Sequence, residues 1–441
     1  MSVDWPTKPL SGIVDFKTGR LDSNAAEEYG KYPFFTCSPT TLAINTFAFD
    51  DEAVLLAGNN ANGVFPIKYY KGKFNAYQRT YVLTPKDKTK VSVRWLYFRI
   101  KHVTSELQQM SVGTATKFLT KKILDAYEVS LPSYEEQEKS AHILWSLQNK
   151  IELNRQTNQT LEEMAQAVFK SWFVDFEPTR AKIKATQNGQ DPTRAAMAAL
   201  AGKTLDQLDT LSPEQIETLT ATAALFPDTL MASDLGEIPE GWGIGKLRHE
   251  IEVLNGFAFK SKDYSAEGTF VLRTKNFNKQ NGTDRLQDDV FLPERFLLSH
   301  KKYLSKAYDY HLIMVGASVG NRGIIYPCHL PALRNQNMWC FRAIVSSIVT
   351  QPFAKYLLDI LVSKSGGLAS GSAREFFRKG DFGDQKICIG TALIQDAFFQ
   401  YAMPLLEEMA ALTAENQNLE LLRDTLLPKL LSGEIDLREA I

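Results

Sequence analysis

A chain of 441 residues is long enough for two or three domains with cores of their own. Hydrophobic residues make up 44% and charged residues 23%, the balance of a soluble globular protein, and no apolar run approaches the roughly 18 residues of a membrane span. The net charge of −1 does not exclude nucleic acid, because it hides two basic blocks: residues 1–130 carry a net +5, residues 236–390 a net +6, and the other segments are acidic.

The chain opens MSVDWPTKPL, without the basic stretch and apolar run of a secretory signal. Cys37, Cys328, Cys340 and Cys388 form no CxxC pair, so they read as small packed hydrophobes in a reducing compartment. A cytoplasmic protein is expected. Residues 1–130 are turn-rich, with β-like runs at Ala53–Ala57 and Thr80–Leu83. Amide and basic groups gather around their glycines: Asn59, Asn60 and Asn62, then Lys68, Lys71, Lys73, Gln78 and Arg79, and later Lys117 beside Gly113-Thr114-Ala115. Asn and Gln pair with adenine, Arg pairs with guanine, and Lys holds phosphate. Asn-Gly clusters are equally ordinary turn chemistry, so each Asn stays open between turn and base reader.

Residues 131–178 read as a long helix: Glu135 to Phe173 lacks Pro and Gly, and Ile143, Leu147, Ile151, Leu161, Val168 and Trp172 recur at helical spacing. Residues 179–235 form a connector with helical pieces at 193–200 and 212–219, and residues 234–242 read as a loop. A second turn-rich segment, 236–390, offers Ser318, Asn321, Arg322, Arg334, Asn335, Gln336, Asn337, Arg374 and Lys379 as its candidate DNA-binding residues. The final stretch, 391–441, is a second long helix. Its Phe398, Leu405, Leu412, Leu419 and Leu426 fall at seven-residue intervals with Met409 and Leu422 between, and Pro404 is expected to kink or restart it. Each helix carries asparagines in its stripe, Asn154 and Asn158 in the first and Asn416 in the second. At about 60 Å, such a helix outruns a small domain. Its stripe packs either on its own domain or on the other helix.

The second half repeats the first. At an offset of 258, Gly113-Thr114-Ala115 with Phe118 becomes Gly371-Ser372-Ala373 with Phe376. Gln137 becomes Gln395, Leu147 becomes Leu405, and Asn158-Gln159 becomes Asn416-Gln417. The same offset matches Gly58 to Gly316 and Gln78 to Gln336. Nearer the start, Trp5, Leu10 and Gly19 match Trp242, Leu247 and Gly256 at an offset of 237, so the second copy holds about 21 extra residues between Phe270 and Leu312. The helices keep one register while the loops differ, as two modules reading two different half-sites would.

Catalytic signatures are missing. There is no Walker loop, no dinucleotide fingerprint, no Asx-Pro-Pro-aromatic tetrapeptide, no E-x-K pair and no close histidine pair, so no catalytic residue, metal or cofactor is expected.

The residues then match a known family. Leu131-Pro132 followed by Glu135-Glu136-Gln137, the run Leu161 to Phe176, and the closing Leu422 to Ile435 together resemble the specificity subunit of Type I restriction-modification enzymes. The resemblance implies an α+β chain of two mixed α/β target-recognition domains separated by two long helices, which form an antiparallel coiled coil with a pseudo-twofold internal repeat. It implies double-stranded DNA as ligand, read at a split site. Its implied partners are two methyltransferase subunits and restriction/translocase subunits. A stand-alone DNA-binding or anti-restriction protein of the same architecture is the alternative. At one junction, Ile389-Gly390 and Ile394 replace the Leu-Pro and Glu of the first copy.

Overall fold

The computed structural model describes residues 5–61, 63–278, 281–314, 318–366 and 379–437. It divides into two compact units, Met1–Leu153 with Asn418–Ile441, and Asn154–Gln417. No helix among the described residues is long and apolar enough to cross a membrane.

In the first unit a six-stranded sheet runs in the order Val14–Thr18, Thr80–Pro85, Phe49–Ala57, Ile67–Ala76, Tyr32–Phe35, Leu42–Ile44. Its central strand Phe49–Ala57 is buried on both faces, which is why Ala53–Ala57 reads as an unbroken apolar run. Val54 and Leu56 face one core with Trp95 and Leu96 of the helix Val93–His102, whereas Ala53 and Leu55 face another with Phe35 and Phe74. Successive side chains on a strand alternate faces, so one run serves both cores.

The second unit repeats these parts in register. Leu247–Glu250 and Ile251–Asn255 stand where Leu10–Ile13 and Val14–Thr18 stand, and Val14 pairs with Pro85 as Ile251 pairs with Ala343. The parallel pair Phe34↔Asn75 and Phe35↔Ala76 reappears as Val271↔Leu333 and Leu272↔Arg334. Ser92 caps the helix that packs on the first sheet, accepting from the Trp95 N–H at 3.3 Å; Thr350 does the same for Phe353 at 3.4 Å.

Two differences separate the copies. The ten-residue strand Ile67–Ala76 becomes two short strands, Arg322–Ile324 and Ala332–Arg334, which belong to separate sheets. Pro327 and Pro331 lie in the break; proline has no N–H to give a ladder, so the strand cannot continue through them. The extra residues also fall differently from the sequence expectation. Val54 pairs with Leu83 as Tyr310 pairs with Phe341, an offset of 256 on this strand. Most of the insertion therefore lies between Leu272 and Tyr310, and two residues enter later. Gly58 is structurally matched by Met314, and Gly316 lies outside the described residues.

The long helices are Tyr134–Phe173 and Ala392–Ser432. The second continues through Pro404, so the expected restart does not occur. The altered junction keeps half a cap. Ser133 accepts from the Glu136 N–H at 3.3 Å, and Glu136 returns a bond to the Ser133 N–H at 2.9 Å. Thr391 accepts from the Ile394 N–H at 3.5 Å, but Ile394 is buried and returns nothing. Between these caps lies the connector, with helices Glu177–Gln187, Pro192–Ala201, Leu205–Leu208 and Pro213–Ala224 around Ala196, Met197, Leu208 and Ala223. Part of the stretch expected as loop is the hairpin Leu230–Ser233 with Gly236–Pro239.

The helices pair antiparallel. In the first unit Lys139 donates to the Leu437 carbonyl at 3.0 Å and Arg423 to Gln148 at 2.9 Å. In the second, Asn154 donates to Asn416 at 3.0 Å and Asn158 to Thr413 at 3.2 Å. Asn154 and Asn416 thus bond across the pair, whereas Asn158 reaches Thr413 and leaves its own carbonyl oxygen buried without a partner. Phe398 and Met409 are buried, but Leu422, expected in the seam, is 46% exposed. The pairing exchanges helix ends between the copies. Leu430 and Leu431 of the second helix, with Leu437 beyond its end, complete the core of the first unit, and Phe169, Trp172 and Phe173 of the first helix complete that of the second. Leu430→Ala and Phe169→Ala are each expected to cost about 2–5 kcal/mol, read as lower urea midpoints; an unchanged midpoint would show that the exchanged ends are only peripheral.

Candidate nucleic-acid interface

One turn is built on the same plan in both copies, with the glycine contact displaced by one residue in the second. At the end of the first strand, a Cβ on Gly19 would lie 1.6 Å from the Ala76 carbonyl oxygen; at Gly256 it would lie 1.7 Å from that of Asn335. No other residue allows this approach. Three hydrogen bonds then tie each turn, the first to an acceptor one position earlier in the second copy. Gln78 N–H donates to Leu21 O and Gln336 N–H to Phe257 O, both at 2.9 Å. Tyr77 N–H reaches Phe35 O at 2.9 Å and Asn335 N–H reaches Leu272 O at 3.0 Å. The outer carbonyl is fixed as well, Arg79 O by Gly58 N–H at 2.8 Å and Asn337 O by Met314 N–H at 2.9 Å. What each turn exposes is a pair of side chains, Gln78-Arg79 in one copy and Gln336-Asn337 in the other.

In the first copy further candidates gather at this turn. Asn59–Asn60 forms a short ribbon with Lys117–Phe118, in which Asn60 faces Lys117. The Arg79 guanidinium lies 5.7 Å from the Phe118 ring, beside a cleft of about 430 Å³ that reaches Thr18 and Lys121. Asn59 accepts from the Cys37 thiol at 3.0 Å, and Gln78 donates to Asp22 at 3.3 Å. Lys68, Lys71 and Lys73 belong to a different place, the strand Ile67–Ala76. Lys71 and Lys73 sit opposite Glu52 and Asp50 in the ladder, and the Lys71 ammonium is 3.6 Å from Glu52. Lys73 lies 4.8 Å from the Phe47 ring. The Lys68 nitrogen is buried without a hydrogen-bond partner, 5.7 Å from the Phe35 ring, so it is not presented to a phosphate.

Several expected readers in the second copy are structural. Arg334 is 0% exposed and donates to the Leu304 and Lys302 carbonyls at 2.5 and 2.8 Å; it occupies the core position of Ala76. Arg322 is held by Asp359 at 2.7 Å and by Ser363 at 3.0 Å. Neither is available to a base. Asn321 closes a turn by its N–H to Ser318 O at 3.0 Å and gives its amide to Phe277 O at 3.2 Å. Asn335 is half-buried and accepts from the Gln336 N–H at 2.8 Å. Asn62 and Arg374 lie outside the described residues. Lys379 donates to Val253 O at 2.5 Å, and its counterpart Lys121, which sequence reading missed, lies 5.6 Å from the Phe16 ring and pairs with Asp125 at 2.6 Å. Phe16 and Val253 are themselves equivalent, and applying the 258 offset to Lys379 would have found Lys121.

Known proteins resemble this chain along its length. The family model of the Type I restriction modification DNA specificity domain matches residues 2–163. The EcoDI specificity subunit of Escherichia coli is 40% identical over 172 residues, which is 38% of this chain and 37% of that relative. The chain therefore spans little more than a third of that relative in this match. The HindI specificity subunit of Haemophilus influenzae is 28% identical over 333 residues, 71% of this chain and 70% of the relative. A crystal structure of the Type-I restriction-modification system S subunit from M. genitalium shares the fold, with a TM-score of 0.58 and 15% identity over 97% of this chain and 96% of that one.

Burial pulls the Lys68 ammonium from the ordinary 10.5 down to about 8, against the opposing pull of Cys37. Below that value both the folded and the unfolded chain carry the charge, and the folded state bears its whole cost. Between about 8 and 10.5 the folded chain releases the proton first, so stability rises with pH. Lys68→Met should raise the urea midpoint at pH 7 and flatten its rise between pH 8 and 10; an unchanged slope would contradict this placement of the amine.

Proposed function

We propose that the chain is a specificity subunit of the Type I restriction-modification family, and that it reads a bipartite site in double-stranded DNA without catalysis of its own. Residues 1–130 and 236–390 are the two target-recognition domains in this reading. Residues 131–178 and 391–441 are the helices between them, and 179–235 is the connector. Two methyltransferase subunits and restriction/translocase subunits, working in the cytoplasm, supply the chemistry. One observation carries the reading: two turns with the same backbone ties expose different side chains. Equal scaffolds with unlike tips are what a split, asymmetric site requires, because base edges are distinguished by donor and acceptor pattern.

Incubation of duplex DNA with a methyltransferase subunit, S-adenosylmethionine and this chain should methylate a split sequence only when all are present. Methyl transfer or cleavage by the chain alone would contradict the proposal. Replacing residues 1–130 with those of a relative should change one half-site and leave the other intact; a change in both would break the division of labour.

A further inference from the structure

We propose that residues 79 and 337 are paired base-discriminating positions, Arg79 selecting guanine in one half-site and Asn337 selecting adenine in the other. This rests on the DNA-reading function above and adds to it which side chains set the difference between the half-sites.

Elimination at a shared backbone tie selects these two positions. Gln78 and Gln336 are the same residue in both copies, as are Lys121 and Lys379, so they cannot make two half-sites differ. Arg322 and Arg334 are engaged within the fold. Position 79/337 keeps the same carbonyl tie in both copies while its exposed side chain differs. Its carbonyl is held in both copies at nearly the same distance. One copy projects a five-donor fork beside the Phe118 ring, and that fork suits the O6 and N7 acceptors of guanine. The other projects a carboxamide, whose donor and acceptor suit N7 and N6 of adenine.

Backbone geometry reinforces the choice. Asn337 has φ +72°, a left-handed conformation that favours Asn or Gly over a long side chain, and Arg79 is not among the positive-φ residues. The second turn is therefore shaped for a short amide, and the first accepts a guanidinium without strain.

The test is a selection from a randomised duplex pool, using the full chain assembled with methyltransferase subunits. Arg79→Ala should lower the preference for guanine at one position of one half-site about ten-fold, with the other half-site unchanged. Arg79→Asn should move that position toward adenine. Asn337→Gly, which keeps the left-handed backbone, should erase an adenine preference in the other half-site only. Should Arg79→Ala abolish all binding, Arg79→Lys decides: relaxed guanine preference with binding retained supports the proposal, and intact preference overturns it. Unchanged motifs in the variants, with a bipartite wild-type motif, overturn the assignment alone. A wild-type chain that enriches no bipartite motif overturns the DNA-reading function and the assignment together.

Discussion

Each half of this molecule is incomplete without a helix end from the other half. The sheet-bearing domain of the first unit packs against Leu430 and Leu431, and that of the second against Phe169 and Trp172. A forty-residue amphipathic helix cannot bury its stripe alone, and the antiparallel pairing of two copies solves this for both. Within each unit the paired asparagines or the Arg423–Gln148 contact add direction to that burial. Apolar stripes tolerate sliding, whereas an amide seeking an amide does not. The repeat therefore supplies each long helix with a partner.

On this scaffold the two domains have diverged unevenly. The elements that touch the helices keep their register residue by residue, from Ser92 and Thr350 as caps to the edge ribbons Thr7–Pro9 with Glu128–Ser130 and Gly243–Lys246 with Lys386–Ile389. The outer strands do not. Two prolines split one strand of the second copy, and most of the extra residues enter beside it. The turn at Gln78 or Gln336 survives this remodelling because Gly19 and Gly256 lock it to the first strand. A recognition surface needs such a fixed point, since a base contact that wanders loses its discrimination.

Much of this was legible in the sequence, and the failures have physical causes. The repeat, the helical stripes and the seam asparagines are local or periodic signals, which survive without coordinates. Burial of an arginine is not. Arg334 reads as a surface reader among Asn and Gln, yet its equivalent under the repeat is Ala76, a core position; the repeat itself held the correction. Arg322 needed Asp359, 37 positions away, to reveal its role. Leu422 fits the heptad count but lies on an exposed face, because a straight α-helix drifts against a strict seven-residue repeat. The match of Gly58 to Gly316 was a coincidence of residue type that strand register overruled in favour of Met314.

The central claim is that two equivalent turns present unlike side chains to DNA. Its most direct test is a structure of the full chain, with the proposed methyltransferase partners, on a duplex carrying the selected site. The account predicts the Gln78-Arg79 turn against base edges of one half-site and the Gln336-Asn337 turn against those of the other. Both turns lying clear of the DNA, with other loops making the base contacts, would contradict it.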